Sequence, residues 1–128
     1  MSDDIHFLTI AEASARIAKK DLSPVELVDA YIGRIENLNA QLDAFITPTL
    51  NMARDQAKVA EAEIAAGNHK GPLHGIPFGL KDIYETKGIL TSGHSKVMQD
   101  HIPDQDATTT AKLYEAGMVL LGKLSTHE

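Results

Sequence analysis

Apolar residues recur at helical spacing through the first half of the chain and collect into short unbroken runs in the second, which predicts helices followed by strands. Thr9-Ile10-Ala11-Glu12 has capping-box spacing, with Thr9 able to cap and Glu12 able to reach back, and opens a helix running to about Lys19. Ser23-Pro24-Val25-Glu26 repeats the device, with proline at the first helical position where a missing N–H costs nothing. Val25, Val28, Ile32, Ile35 and Leu38 then follow at helical spacing, and Leu27 and Tyr31 widen the stripe. That width suits a core face better than a partner-binding seam. Asp43 to Thr47 reads as a short extended segment. A third helix, roughly Met52 to Ala66, carries Ala53, Ala57, Ala60 and Ile64 on one side and ends at Gly67.

After Gly67 the character changes to glycine, proline, histidine and short apolar runs. Residues 76 to 80 are expected as a strand, and Asp106 to Ala116 as a helix capped by Asp106 and ended by Gly117. Met118-Val119-Leu120-Leu121 is continuously apolar, as a buried strand is. A helix running directly into such a strand indicates an α/β sheet with parallel pairing. The expected fold class is therefore α/β, in one domain: residues 1–68 mainly helical, residues 69–128 the first strands of a mixed sheet. Two or three strands leave sheet edges and apolar faces bare, so further chain is expected after residue 128.

With 128 residues and 43% hydrophobic content a sizeable core is possible. The net charge of -6 and the lack of any basic block beyond Lys19-Lys20 argue against a nucleic-acid surface. The chain has no cysteine, which excludes disulfides and thiolate chemistry. The opening Met1-Ser2-Asp3-Asp4-Ile5-His6 lacks the basic and apolar regions of a signal peptide, and no apolar stretch approaches the roughly 20 residues needed to span a bilayer. A cytoplasmic location is expected.

The chemistry centres on Gly71-Pro72-Leu73-His74-Gly75-Ile76-Pro77-Phe78-Gly79-Leu80-Lys81-Asp82, which stops one lysine at the end of a short apolar run. Such a position draws the ammonium group toward a core. In water a lysine titrates near 10.4, so only about one molecule in a few thousand is a free base at pH 7. Desolvation disfavours the ammonium form and can turn lysine into a general base, as in Ser-Lys pairs that activate a hydroxyl for acyl transfer. The competing reading is a lysine that snorkels from the strand end and pairs with Asp82 or another carboxylate. Ser92, Ser95 and Ser125 are hydroxyls that could pair with Lys81, and Thr91-Ser92-Gly93-His94-Ser95 is close enough in sequence to border the same site.

Other chemistries find less support. The six histidines, His6, His69, His74, His94, His101 and His127, show no i,i+4 pairing on a helix, so surface or loop positions account for them better than a metal. Gly71 to Gly79 matches neither the phosphate-cradling nor the dinucleotide pattern. No serine stands in a G-x-S-x-G elbow.

Taken together, these residues resemble a known family. Gly71 to Asp82 resembles the GPLxGIPxxxKD segment of the amidase signature family, whose lysine is the catalytic base. Thr91 to Ser95 falls where that family has a Thr/Gly/Ser loop, and Asp106-Ala107-Thr108 at its D-A-T helix start. Gly117-Met118-Val119-Leu120-Leu121-Gly122-Lys123 is similar to its A-G-A-x-x-x-G-K strand, and His127-Glu128 to the start of its H-E-F-A segment. Leu8-Thr9-Ile10 and Ser23-Pro24-Val25-Glu26-Leu27 are similar to its N-terminal helices. One departure is His94, where a glycine is more usual.

The resemblance implies an amidase acting on the C–N bond of a small-molecule carboxamide through a Ser-cisSer-Lys triad and an acyl-enzyme. Only the lysine, Lys81, falls within these residues; both serines belong to a Gly/Ser-rich stretch expected beyond residue 128. It implies no metal or organic cofactor, no direct nucleic-acid or membrane contact, and a possible homodimer. A 128-residue piece holding one triad member is expected to be inactive alone. The alternative within the family is the A-type, glutamine-hydrolysing subunit of a glutamyl-tRNA(Gln) amidotransferase, which works with partner subunits. An alternative of another class is a non-catalytic binding module.

Overall fold

The computed structural model describes residues 4–126. A short 3-10 turn at Ile5–Phe7 leads into α1 (Ile10–Ala18), α2 (Pro24–Leu42), β1 (Phe45–Pro48), α3 (Leu50–Ala65), β2 (Pro77–Lys81), α4 (Thr108–Glu115) and β3 (Val119–Leu124). The Thr9 capping box forms in full: Thr9 Oγ1 accepts from the Glu12 N–H at 3.0 Å, and Glu12 Oε1 accepts from the Thr9 N–H at 2.9 Å. The second cap forms by half. Ser23 Oγ accepts from the Val25 N–H at 3.0 Å with Pro24 in the first turn, but the hydroxyl donates to Glu61 of α3. Ser23 thus ties two helices together instead of closing a box with Glu26.

Asp106 does not cap α4. Ala107 occupies the cap position, and Asp106 Oδ1 instead accepts from the Lys87 N–H at 2.8 Å. The carboxylate is spent on the long 82–107 loop, where it holds the loop against the helix it was expected to start.

The three strands form one sheet in the order β1-β3-β2, with β3 antiparallel to β1 and parallel to β2. The sheet is therefore mixed, and its central strand is the last in sequence. One face packs on α2 and α3 through Val28, Ile32, Ile35, Ala53, Ala57, Val119 and Leu121. The alanines of α3 on that face have no exposed surface, so the helix lies close on its neighbours. The other face is covered by α4 and the 82–107 loop: Tyr114 meets Phe78 edge-on, and Thr110 Oγ1 donates to the Glu85 carbonyl at 3.0 Å. Ile17, Leu22, Leu27, Ile64, Ile76 and Met118 make a second cluster at the entry to the strands.

The six histidines are expected at surface or loop positions, and His74 is a turn residue that is nonetheless buried. His74 is fully buried: its Nδ1 accepts from the Lys70 N–H at 3.0 Å, which leaves Nε2 carrying the proton toward Glu63 Oε1 at 2.9 Å. Burial raises the Glu63 pKa, but the His74 N–H bond and the Lys70 ammonium outweigh it, so the carboxyl is held below its ordinary value. The ring lies against Gly117, where an added Cβ would come within 2.3 Å of it. Gly117 also has φ +86°, so the glycine expected to end α4 is required there on two counts. His74 thereby pins α3, the turn before β2 and the turn before β3 to one point.

Candidate active site

Lys81 is the last residue of β2, an edge strand of this sheet, and it is exposed. The expectation that it turns into the core is not met, and strand geometry says why. Side chains alternate between faces. Leu80 and Asp82 are 4% and 1% exposed, so Lys81 between them points the other way. The apolar run that made β2 look buried on both sides contains Gly79 and Phe78, which are exposed and half-buried.

The lysine that enters the core is Lys123, which has no exposed surface. It lies on β3, whose other residues from Val119 to Gly122 are also buried because both of its edges and both of its faces are covered. A bulge decides which face it takes. Phe78 pairs with Leu120 but Gly79 pairs with Gly122, so Leu121 is an extra residue on β3. A one-residue shift exchanges the faces of everything after it. Lys123 consequently stands opposite Leu80, on the side where Asp82 points, and not on the Val119 and Leu121 side under α2 and α3. Gly122 makes this possible: its φ is +155°, and a Cβ there would lie 2.8 Å from Pro48 Cα and from the Thr47 carbonyl oxygen.

Lys123 Nζ donates to Thr91 Oγ1 at 2.7 Å and to the Tyr84 carbonyl at 2.9 Å, and stands 3.7 Å from Asp82 Oδ1. Burial pulls its pKa below the ordinary lysine value, against the attraction of Asp82 and, further off, Glu85. The other Asp82 oxygen, Oδ2, accepts from both the Ser92 N–H at 3.0 Å and the Ser92 hydroxyl at 2.6 Å. Thus Asp82, the carboxylate that the sequence places beside Lys81, is engaged by Lys123. A Thr-Lys contact of 2.7 Å looks like a nucleophile with its base, but both groups are buried and Lys123 spends its protons on protein oxygens. That contact is a structural knot.

The candidate hydroxyls have separate tasks. Ser92 serves Asp82, Ser95 Oγ accepts from the Val97 N–H at 3.2 Å, and Ser125 Oγ donates to the Asp43 carbonyl at 2.7 Å. Among the described residues no hydrogen bond joins any of them to Lys81. The 91–95 loop does border the lysine's strand end, since the Gly93 N–H donates to the Asp82 carbonyl at 2.9 Å. His94 has φ +62°, the left-handed conformation that favours glycine, and its ring Nδ1 reaches the Thr126 carbonyl at 2.6 Å. The histidine that replaces the family's usual glycine is therefore a strained residue holding the loop to the segment after β3. His127 and Glu128 lie outside the described residues.

Sequence reasoning missed Lys123 and Thr91 as members of this cluster. The available signal was a lysine two residues beyond a continuous apolar strand, together with a loop rich in small hydroxyls.

Comparison with known proteins places the arrangement. The chain is 44% identical over 125 residues to the A-type subunit of the glutamyl-tRNA(Gln) amidotransferase of Sinorhizobium fredii, covering 98% of this chain and 25% of that protein. It superposes on the native peptide amidase of Stenotrophomonas maltophilia with a TM-score of 0.87 and 34% identity, over 93% of this chain and 25% of that one. On a fatty acid amide hydrolase the TM-score is 0.91 at 27% identity, covering 97% and 22%. The chain thus spans about a quarter of the length of the curated relatives it matches. Residues 26–128 match the family model described as Amidase, and with them the chain belongs to the amidase signature family.

Proposed function

We propose that the longer protein to which these residues correspond hydrolyses the C–N bond of a carboxamide, with Lys81 as its general base. The observation that carries the reading is the place of Lys81: it ends β2 within the matched family segment, on the opposite side of the strand from a buried Asp82 that Lys123 and Ser92 already occupy. A base needs a desolvated amine. Residues 4–126 leave Lys81 in solvent, so the reading requires other parts of the protein to cover it. Exposed apolar side chains nearby in sequence, Ile83, Val97 and Ile102, offer a surface for that cover.

In the mechanism the neutral Lys81 amine takes a proton through a bridging serine, and a second serine attacks the amide carbon. Backbone N–H groups stabilise the oxyanion. The Lys81 ammonium then returns a proton to the leaving amine, and water hydrolyses the acyl-enzyme. Both serines and the oxyanion donors lie outside this sequence. No step needs a metal or organic cofactor. A cytoplasmic location belongs to the same reading, and a homodimer is compatible with it.

The shared name of the curated relatives favours a second reading, the A-type subunit of a glutamyl-tRNA(Gln) amidotransferase. Assays of the full-length protein separate the two. Turnover of 4-nitroacetanilide without partners supports the autonomous amidase, whereas ammonia release from L-glutamine that depends on partner subunits supports the amidotransferase. In either case Lys81→Ala is expected to lower kcat by about 10²- to 10⁴-fold with the fold retained. Lys81→Arg is expected to fail as well, because guanidinium does not give up its proton. A folded Lys81→Ala enzyme of normal activity overturns the assignment.

A further inference from the structure

We infer that the buried pair Lys123–Asp82 is the positioning unit for Lys81, fixing the direction of its backbone through the turn that follows β2. The inference rests on the reading of Lys81 as the base.

Core packing does not explain a lysine at position 123. A buried ion pair replaced by apolar residues of similar volume is often no less stable, because desolvation cancels much of the attraction. What an ammonium group does, and a leucine or methionine does not, is hold several oxygens in fixed directions. Lys123 holds three, from three segments: Asp82 beside the end of β2, Tyr84 in the following turn, and Thr91 at the start of the 91–95 loop.

All three segments bear on Lys81. Lys81 pairs with Leu124 across the sheet, and the pair members Asp82 and Lys123 are the immediate chain neighbours of those two residues. The Asp82 N–H donates to the Leu124 carbonyl at 3.2 Å. The Tyr84 N–H donates to the Lys81 carbonyl at 3.0 Å, while the Tyr84 carbonyl accepts from Lys123. One peptide segment is therefore gripped by Lys81 at one end and Lys123 at the other. The Asp82 carbonyl accepts from the Gly93 N–H, and its carboxylate from Ser92, so the loop is tied to the same residue. Among the described residues, Asp82 Oδ1 has no hydrogen bond other than its attraction to the ammonium 3.7 Å away, which makes Lys123 the sole stabiliser of that oxygen.

The test uses the full-length enzyme and whichever of 4-nitroacetanilide or L-glutamine the wild type turns over, with partner subunits where it needs them. Lys123→Met keeps the stem and removes the charge. Positioning predicts a fall in kcat of about 10²-fold with KM nearly unchanged, since a misplacement of about 1 Å costs that much in rate. The double variant Lys123→Met/Asp82→Asn removes the stranded carboxylate as well. It is expected to recover melting temperature but not kcat, whereas a purely structural pair predicts that both recover. Where Lys123→Met does not fold, Ser92→Ala decides: it deletes one hydrogen bond to Asp82 and is expected to lower kcat about tenfold with KM held. Wild-type kcat in any folded member of this set overturns the inference. Lys81→Ala run in parallel distinguishes the two failures. An inactive Lys81→Ala beside a fully active Lys123→Met refutes only the positioning role, and an active Lys81→Ala refutes the base itself.

Discussion

Replacement of His74 is the sharpest test of how the turn that leads into β2 is held. His74→Leu keeps most of the packing volume and removes both hydrogen bonds. The Lys70 N–H loses its acceptor, and Glu63 loses a donor at 2.9 Å. A neutral bond contributes about 1 kcal/mol and one to a charged group about 1.5–3 kcal/mol. Glu63 retains the Lys70 ammonium at 3.5 Å and has its side chain 32% exposed, so water recovers part of the second loss. The net cost is therefore about 2 kcal/mol. His74→Ala opens a void against Gly117 besides, bringing the total to about 4 kcal/mol.

The loss is local to the junction of α3 with the turns before β2 and β3, so hydrogen exchange read by mass spectrometry on the full-length protein is the suitable assay. Peptides covering residues 68–76 and 114–120 are expected to exchange about 30-fold faster in His74→Leu, since 1.4 kcal/mol is tenfold in an opening equilibrium. Peptides from the middle of α2 serve as the control and stay unchanged. A double-mutant cycle with Glu63→Gln is expected to show coupling of about 1 kcal/mol. Unaltered exchange at residues 68–76, or no coupling to Glu63, refutes the picture of His74 as the pin of that junction.

Three further outcomes follow from the geometry. Gly122→Ala places a Cβ 2.8 Å from backbone atoms of β1 that have no freedom to move, and is expected to cost about 3 kcal/mol, visible as a lower melting temperature; an unchanged melting temperature refutes the close approach of β1 to β3. At position 94 the usual preference is inverted: His94→Gly is expected to be about 1 kcal/mol more stable than His94→Ala, because only glycine takes φ +62° without strain, and the opposite order refutes the left-handed conformation. Burial lowers the Lys123 pKa, so between that lowered value and about 10.4 the unfolded chain holds a proton that the folded chain has released. Stability relative to Lys123→Met must then rise as pH climbs through that window and stay level below it; a difference in melting temperature that falls with rising pH refutes the direction of the shift.

Local rules carried the elements with explicit chemistry at their ends. The Thr9 capping box, the proline at the start of α2 and the alanine face of α3 all appear as their spacing predicts. These signals are short-range, and a sequence contains all of their terms. Failures occur where a side chain had two uses and a distant partner chose between them. Asp106 could cap α4 or hold the 82–107 loop, and the Lys87 N–H, nineteen residues earlier, took it. Ser23 met Glu61 across thirty-eight residues in place of Glu26 across three. The burial of the loop residue His74 had no local sign, because its partners, Glu63 and the Gly117 surface, come together only when α3 packs beside the β3 turn.

The two lysines show the same limit at the site. Both follow short apolar runs without a polar break, Ile76 to Leu80 and Met118 to Gly122, so sequence alone does not decide which of them is buried. Depth depends instead on strand order. β3 is central and buried from Val119 to Lys123, whereas β2 is an edge strand of these residues in which only Leu80 is buried. Parity then depends on the extra residue at Leu121, since without that bulge Lys123 would face α2 and α3, away from Asp82. Order and register are long-range quantities with no local signature except a glycine in an otherwise apolar strand. The result is a division of labour: Lys123 inside the fold stands against Asp82, and Lys81, one residue before Asp82, is left exposed at the end of β2.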